Sequence, residues 1–226
     1  MNFFPLEKRF GLTRYFLNQV NTWRRGMTAE DQERIIVSFG EAAFRAYQAG
    51  FDMIELHGAN GYLLCQFLSS FTNKIQSGFG DDFQGRTTFP LSVIREIKQR
   101  IPENFSLGFR LIIREWVPGG IDLSEALAFA KLLEKEGVAY LSASVGSYIS
   151  LFSTMAKKQM ARPAYLRQDM ADLTREVGIP TIMSGRVIKP SLANKLLRDG
   201  AADLIGLGRP LRADFQWVKK AAVAAA

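Results

Sequence analysis

One histidine and one cysteine in 226 residues leave little reactive chemistry to choose from. With Cys65 alone an internal disulfide is excluded, and thiol usage this sparse points to a reducing, cytoplasmic compartment. The same scarcity leaves no His/Cys set to cage a metal; Asp81-Asp82 reads as a loop turn, and no metal is expected. A hydrolase triad lacks its nucleophile signal, because no Gly-x-Ser-x-Gly elbow occurs. No Gly-x-Gly-x-x-Gly follows a first strand, so the dinucleotide fold has no positive support. No apolar run approaches the roughly 20 residues of a membrane span. The first residues lack the charged, apolar and small-residue succession of a secretory signal, so none is expected.

Acidic residues are also in short supply: Lys+Arg 29 against Asp+Glu 22 leaves +7. The basic residues are scattered among Glu and apolar positions, with no run of five and no aromatic-basic alternation. They read as solvated helix faces, and no nucleic-acid partner is expected. An anionic substrate or a phosphate-bearing cofactor remains compatible with the excess.

What is present is a regular alternation. Residues 1–26 are apolar without a sustained period and stay unassigned. Thr28 and Asp31 form a capping-box pattern. Ile35, Ile36, Phe39, Ala42, Ala43, Ala46 and Tyr47 then mark a helix face that stops at Gly50. A strand is predicted over 51–56, a helix over 90–100 and a strand over 106–113. Helices over 124–136, 165–177 and 191–198 alternate with strands over 139–144, 179–183 and 202–207. Residues 221–226 are an alanine-rich tail, which leaves 27–220 as the folded unit.

Short strands that read as apolar on both faces, alternating with helices, imply an α/β fold with a parallel sheet. It closes either as an open doubly wound sheet or as a (β/α) barrel. The barrel is the better fit, because the last two strands are each followed by a glycine-containing turn, Gly185-Arg186 and Gly208-Arg209. That is where barrels hold a phosphate.

The chemistry gathers at His57, where an apolar run gives way to a glycine-bracketed turn carrying Asn60 and Tyr62. A lone histidine can be structural, but an imidazole, a carboxamide and a phenol within six residues suit a barrel's carboxyl edge. Arg110, charged in mid-strand, needs either a core ion pair or an anionic or electron-rich ligand.

The run from Gly50 through Glu55, His57, Gly58, Asn60, Gly61, Tyr62 and Gln66 to Phe67 resembles the signature of the old yellow enzyme family of FMN-dependent oxidoreductases. Met27-Thr28-Ala29-Glu30-Asp31 resembles the family's lead into the preceding helix, and Phe79-Gly80…Arg86-Thr87-Thr88-Phe89-Pro90 the loop before the next helix. Gly108-Phe109-Arg110 resembles its following strand, and Ala202…Gly208-Arg209-Pro210 its closing phosphate strand. The resemblance implies a (β/α)8 barrel of the TIM type with FMN at its carboxyl edge. NAD(P)H would be the reductant and an electron-poor alkene, such as an α,β-unsaturated carbonyl, the acceptor. By motif, His57 and Asn60 would bond the substrate oxygen and Tyr62 would deliver a proton. Arg110 would lie beside the flavin ring, with Gly185, Arg186, Gly208 and Arg209 on its phosphate.

Two departures accompany it. Residues 75–82 stand where the family has an arginine, an acid and a Tyr-Gly-Gly turn. The resemblance also begins before the family's fourth strand, so about five β/α units are expected, truncated at the N-terminal side. Five strands cannot close an eight-stranded barrel. A homo-oligomer or a partner chain supplying strands is therefore expected, and a non-catalytic truncated barrel is the alternative. A phosphate-binding barrel of aldolase or isomerase type, with Lys189 or Lys195 as its Schiff-base lysine, is a third reading.

Overall fold

The computed structural model describes residues 27–74, 80 and 82–223. The readings made for residues 1–26 and for most of the 75–82 departure lie outside the described residues. Helix α1 (Ala29–Gln48) starts in the expected capping box: Thr28 N donates to Asp31 Oδ2 at 3.2 Å and Asp31 N to Thr28 Oγ1 at 3.1 Å. It leads to β1 (Met53–Gly58), a short α2 (Leu63–Leu68), α3 (Phe83–Arg100) and β2 (Ser106–Arg114). Then come α4 (Leu123–Lys135), β3 (Tyr140–Val145), a 3-10 turn (Ser150–Phe152), α5 (Thr154–Met160) and α6 (Arg167–Glu176). The chain continues through β4 (Thr181–Met183), α7 (Pro190–Arg198), β5 (Leu204–Ile205), α8 (Arg209–Ala213) and α9 (Trp217–Val223). Among the described residues no helix is long and apolar enough to cross a membrane.

All five strands are parallel and lie in the order β1-β2-β3-β4-β5. A doubly wound sheet reverses its strand order midway; among the described residues this one does not, which favours the barrel of the two closures. One face is covered by helices and buries Leu56, Leu107, Phe109, Leu111, Leu141, Ala143 and Met183. Phe109 anchors this layer, edge-on to Phe129 at 5.6 Å with both rings at most 1% exposed. Phe109→Ala is expected to cost about 3–5 kcal/mol, read from the denaturant midpoint.

The opposite face corrects the expectation of strands that are apolar on both sides. Register places His57, Arg110, Ser142, Ile182 and Leu204 in one row across it. This mixed row faces the barrel's interior. Among the described residues β1 and β5 each pair on one side only, and there Met53 is 50% and Leu204 54% exposed.

Several boundaries differ from those predicted: β4 and β5 are shorter than 179–183 and 202–207, and α9 runs past 220 to Val223. Strand β1 runs through His57 instead of stopping before it, so the imidazole is held by a ladder residue opposite Arg110. Helix α3 starts at Phe83, with Asp82 accepting from Gly85 N at 2.7 Å as its cap; Pro90 lies inside it. Proline favours a helix's first turn, which draws the predicted start to position 90, and here packing outweighs its missing N–H. Between β3 and α6, Ser153 caps the short α5 by accepting from Ala156 N.

Candidate active site

Beyond β1 the chain makes a double left-handed turn at Asn60 (φ 58°) and Gly61 (φ 79°). Asparagine is among the few side chains that adopt this conformation readily. A Cβ at Gly61 would also sit 3.2 Å from Ser147 Cβ. The reversal brings Tyr62 back onto the His57 ring, with centroids 4.8 Å apart. Tyr62 then occupies the N-cap position of α2 without a side-chain cap bond, and Gln66 Nε2 donates back to the Gly61 carbonyl.

Asn60 reaches the end of β3. Its Nδ2 donates to Val145 O at 3.5 Å and Gly146 O at 3.4 Å, while its Oδ1 accepts from Ser144 Oγ at 3.2 Å. A parallel bridge between Asn60 and Ser147 joins the same two segments. Both ends of the carboxamide are thus in use, through long bonds at the weak end of the range.

His57 is exposed, yet its protonation is disfavoured. Partial burial is the main cause and the Arg110 charge the second, with Glu55 opposing them; together they hold the ring below the ordinary imidazole value of 6.5. At neutral pH the ring is an uncharged N–H donor. NMR titration of this single histidine is expected to give a midpoint below 6.5. Arg110→Gln should move the midpoint up, and Glu55→Gln should move it further down.

Next in the row is Arg110, half-buried and without an ion pair among the described residues. It opens into a cleft of about 680 Å³ shared with Tyr165, Gly185, Arg186, Gly208 and Arg209. Arg186 and Arg209 likewise have no ion pair among the described residues. Burial pushes the Tyr165 phenol up, against the pull of Arg209 and Arg110. Gly185 has φ 128°, and a Cβ there would lie 3.0 Å from the Tyr165 ring. At Gly208 an added Cβ meets nothing within 4 Å, so backbone lies open to the cleft. Ser142 Oγ, adjacent to Arg110 in the row, is buried without a hydrogen-bond partner. Three guanidinium groups without an ion pair among the described residues, together with open glycine backbone, on one concave surface suit an anionic, hydrogen-bonding group. A flavin nucleotide has that chemistry.

The structure brings Arg110, Gly185, Arg186, Gly208 and Arg209 together around the cleft. His57 and Tyr62 adjoin it at β1, while Asn60 is turned to the β3 end. Reading the sequence does not find Tyr148, Tyr165 or Ser142 as individual site residues, whereas Ser184, beside Gly185 directly after a strand, lies in the cleft. Ser142 and Ser144 alternate with Leu141, Ala143 and Val145, a period-2 pattern that marks the polar inner face.

Fold and site define a parallel (β/α)-barrel segment whose carboxyl edge joins a proton-bearing pair to a cationic, nucleotide-sized cleft. The chain belongs to the NADH:flavin oxidoreductase / NADH oxidase family, whose profile matches residues 9–225. This confirms the old yellow enzyme resemblance and, with it, a family whose flavin is FMN. The chain is 39% identical over 204 residues to an NADH oxidase of Thermoanaerobacter brockii, covering 89% of this chain and 31% of that protein. Identity to a cinnamate reductase of Clostridium sporogenes is 34%, over 85% of this chain and 31% of the relative. Among solved structures, a 2-naphthoyl-CoA reductase in complex with 2-naphthoyl-CoA superposes with a TM-score of 0.82 at 26% identity. That match covers 88% of this chain and 30% of the other. The chain thus spans about a third of the length of these relatives.

Proposed function

We propose that the chain carries the substrate edge and phosphate cradle of an FMN-dependent oxidoreductase. In this reading hydride passes from NAD(P)H to an electron-poor alkene, an α,β-unsaturated acyl or carbonyl compound. The supporting observation is the register: His57, packed on Tyr62, lies directly beside Arg110, which opens the three-arginine cleft.

FMN bound in that cleft supplies the two-electron relay between nicotinamide and alkene. Arg186, Arg209, Gly185 and Gly208 would hold its phosphate, and Arg110 would lie beside its ring. Neutral His57 donates its N–H to the substrate carbonyl oxygen, where negative charge gathers as the alkene is reduced. Tyr62 delivers the proton to the neighbouring carbon. Asn60 adds a second donor to the oxygen once its long bonds to Val145 and Gly146 are released. That the relatives include reductases of cinnamate and of 2-naphthoyl-CoA supports a conjugated acyl substrate.

The one-sided pairing of β1 and β5 supports a second element of the reading. Strands that cover those edges come from residues outside those described, from a second copy or from another chain. A cytoplasmic setting, where NAD(P)H is supplied, completes it. The test is direct: purified protein should be yellow, and after reduction by NAD(P)H its absorbance should return on adding an enone. Protein that stays colourless with FMN and any co-purifying partner present rules the reading out.

A further inference from the structure

We propose that Tyr148 is the positioning partner of Tyr62: it holds the Tyr62 hydroxyl toward the substrate and restores its proton from solvent after each transfer. The inference rests on Tyr62 as proton donor and extends it to a residue outside the signature motif.

Two phenols meet at the mouth of the site. Tyr62 Oη and Tyr148 Oη are 2.6 Å apart, with the rings edge-on at 5.6 Å and 83°. The meeting is built into the fold. Tyr148 follows Ser147, which bridges Asn60 across the β1 and β3 ends; Ser150 Oγ donates to Ser147 O at 2.8 Å and tightens that turn. The segment is therefore clamped at Asn60, close to Tyr62 in the chain, and a phenol at 148 lands on the phenol at 62.

Proton bookkeeping orients the pair. Each phenol has one O–H, and one of the two hydrogens lies in the shared bond. Were Tyr62 the donor, its proton would point at Tyr148 and away from any substrate. Tyr148 must donate, leaving the Tyr62 O–H free. On transfer the Tyr62 O–H bond breaks and a substrate C–H bond forms. The phenolate left behind keeps the Tyr148 hydrogen bond, which is stronger to an anion than to a neutral hydroxyl. The Tyr148 proton then crosses to Tyr62, and Tyr148, 40% exposed, is reprotonated by water. Each turnover consumes one solvent proton, and NAD(P)H supplies the electron pair as hydride.

Tyr148→Phe keeps the ring and removes the hydroxyl. In the flavin-loaded protein it is expected to lower kcat for the alkene step about ten- to hundredfold, the effect of losing one hydrogen bond to a charged group. The alkene KM and the rate of flavin reduction by NAD(P)H should stay the same, and the solvent deuterium isotope effect on the alkene step should grow. An unchanged kcat overturns the proposal, as does a raised KM or weakened flavin uptake at unchanged kcat, because Tyr148 then only packs its loop. Tyr62→Phe run alongside separates the failures: if that variant is also silent, the reading of Tyr62 falls; if it is impaired while Tyr148→Phe is silent, only the pairing falls.

A second measurement needs neither flavin nor turnover. The bond to Tyr62 is the main cause holding the Tyr148 phenol above its ordinary value. His57, against Tyr62, is a neighbouring titratable group among the described residues and is already uncharged in that alkaline range. In protein carrying tyrosine labelled with carbon-13 at Cζ, Tyr62→Phe should bring the Tyr148 titration to lower pH. A titration that stays or moves upward means that Tyr148 does not donate, and overturns the proposal.

Discussion

Phenylalanine at position 62 is expected to slow alkene reduction about 10²- to 10⁴-fold, the range of a positioned general acid, while reduction of the flavin by NAD(P)H proceeds as before. The asymmetry follows from where Tyr62 stands. Its ring packs on His57, and its hydroxyl oxygen lies 2.6 Å from that of Tyr148 at the mouth of the site. Removing the oxygen costs no core packing, since Tyr62 is 43% exposed. On the proposed role the substitution removes the proton source and leaves fold and cleft standing. Stopped-flow absorbance resolves the two halves, following loss of flavin colour with NAD(P)H and its return with an enone. Equal slowing of both would mean that Tyr62 supports the cleft; no slowing of either would remove it from the chemistry.

The second large effect concerns the cradle. Arg186→Gln with Arg209→Gln is expected to weaken FMN binding about 10²- to 10⁴-fold, taking ~1.5–3 kcal/mol for each hydrogen bond to a charged group. Neither arginine has an ion pair among the described residues, so the substitution strands no buried carboxylate. Both are exposed in a shared cleft, which makes the change local. Quenching of flavin fluorescence gives the dissociation constant, and circular dichroism checks the fold. The loss should shrink at high salt, where wild-type binding itself weakens. Affinity unchanged in the double variant would mean that the phosphate is held elsewhere.

Features set by neighbouring residues are legible in the sequence, and those that depend on distant residues are not. The capping box at Thr28 and Asp31 is legible because both partners lie within one turn. So are the glycine turns at Gly185 and Gly208, each marked by glycine shortly after a strand. The barrel topology follows from alternation, though its decisive sign, unreversed strand order, exists only in three dimensions. The inner face is hidden because β2 and β3 bury most of their residues, and two serines among Leu141, Ala143 and Val145 do not break an apolar average. Pro90 disguises the start of α3, because a proline commonly opens a helix and the true cap, Asp82, stands about two turns ahead of it. Tyr148 is beyond reach for a plainer reason. It lies 86 positions from Tyr62, and only the bridge from Asn60 to Ser147 brings the two phenols together.

Whether this cleft reads a flavin by its phosphate can be settled by one titration. Purified protein, with whatever chain co-purifies, is titrated in parallel with FMN and with riboflavin, which differ only in that phosphate. FMN is expected to bind at least about 100-fold more tightly, as the arginine hydrogen bonds require. Equal affinity for the two, or no uptake of either, would contradict the phosphate cradle.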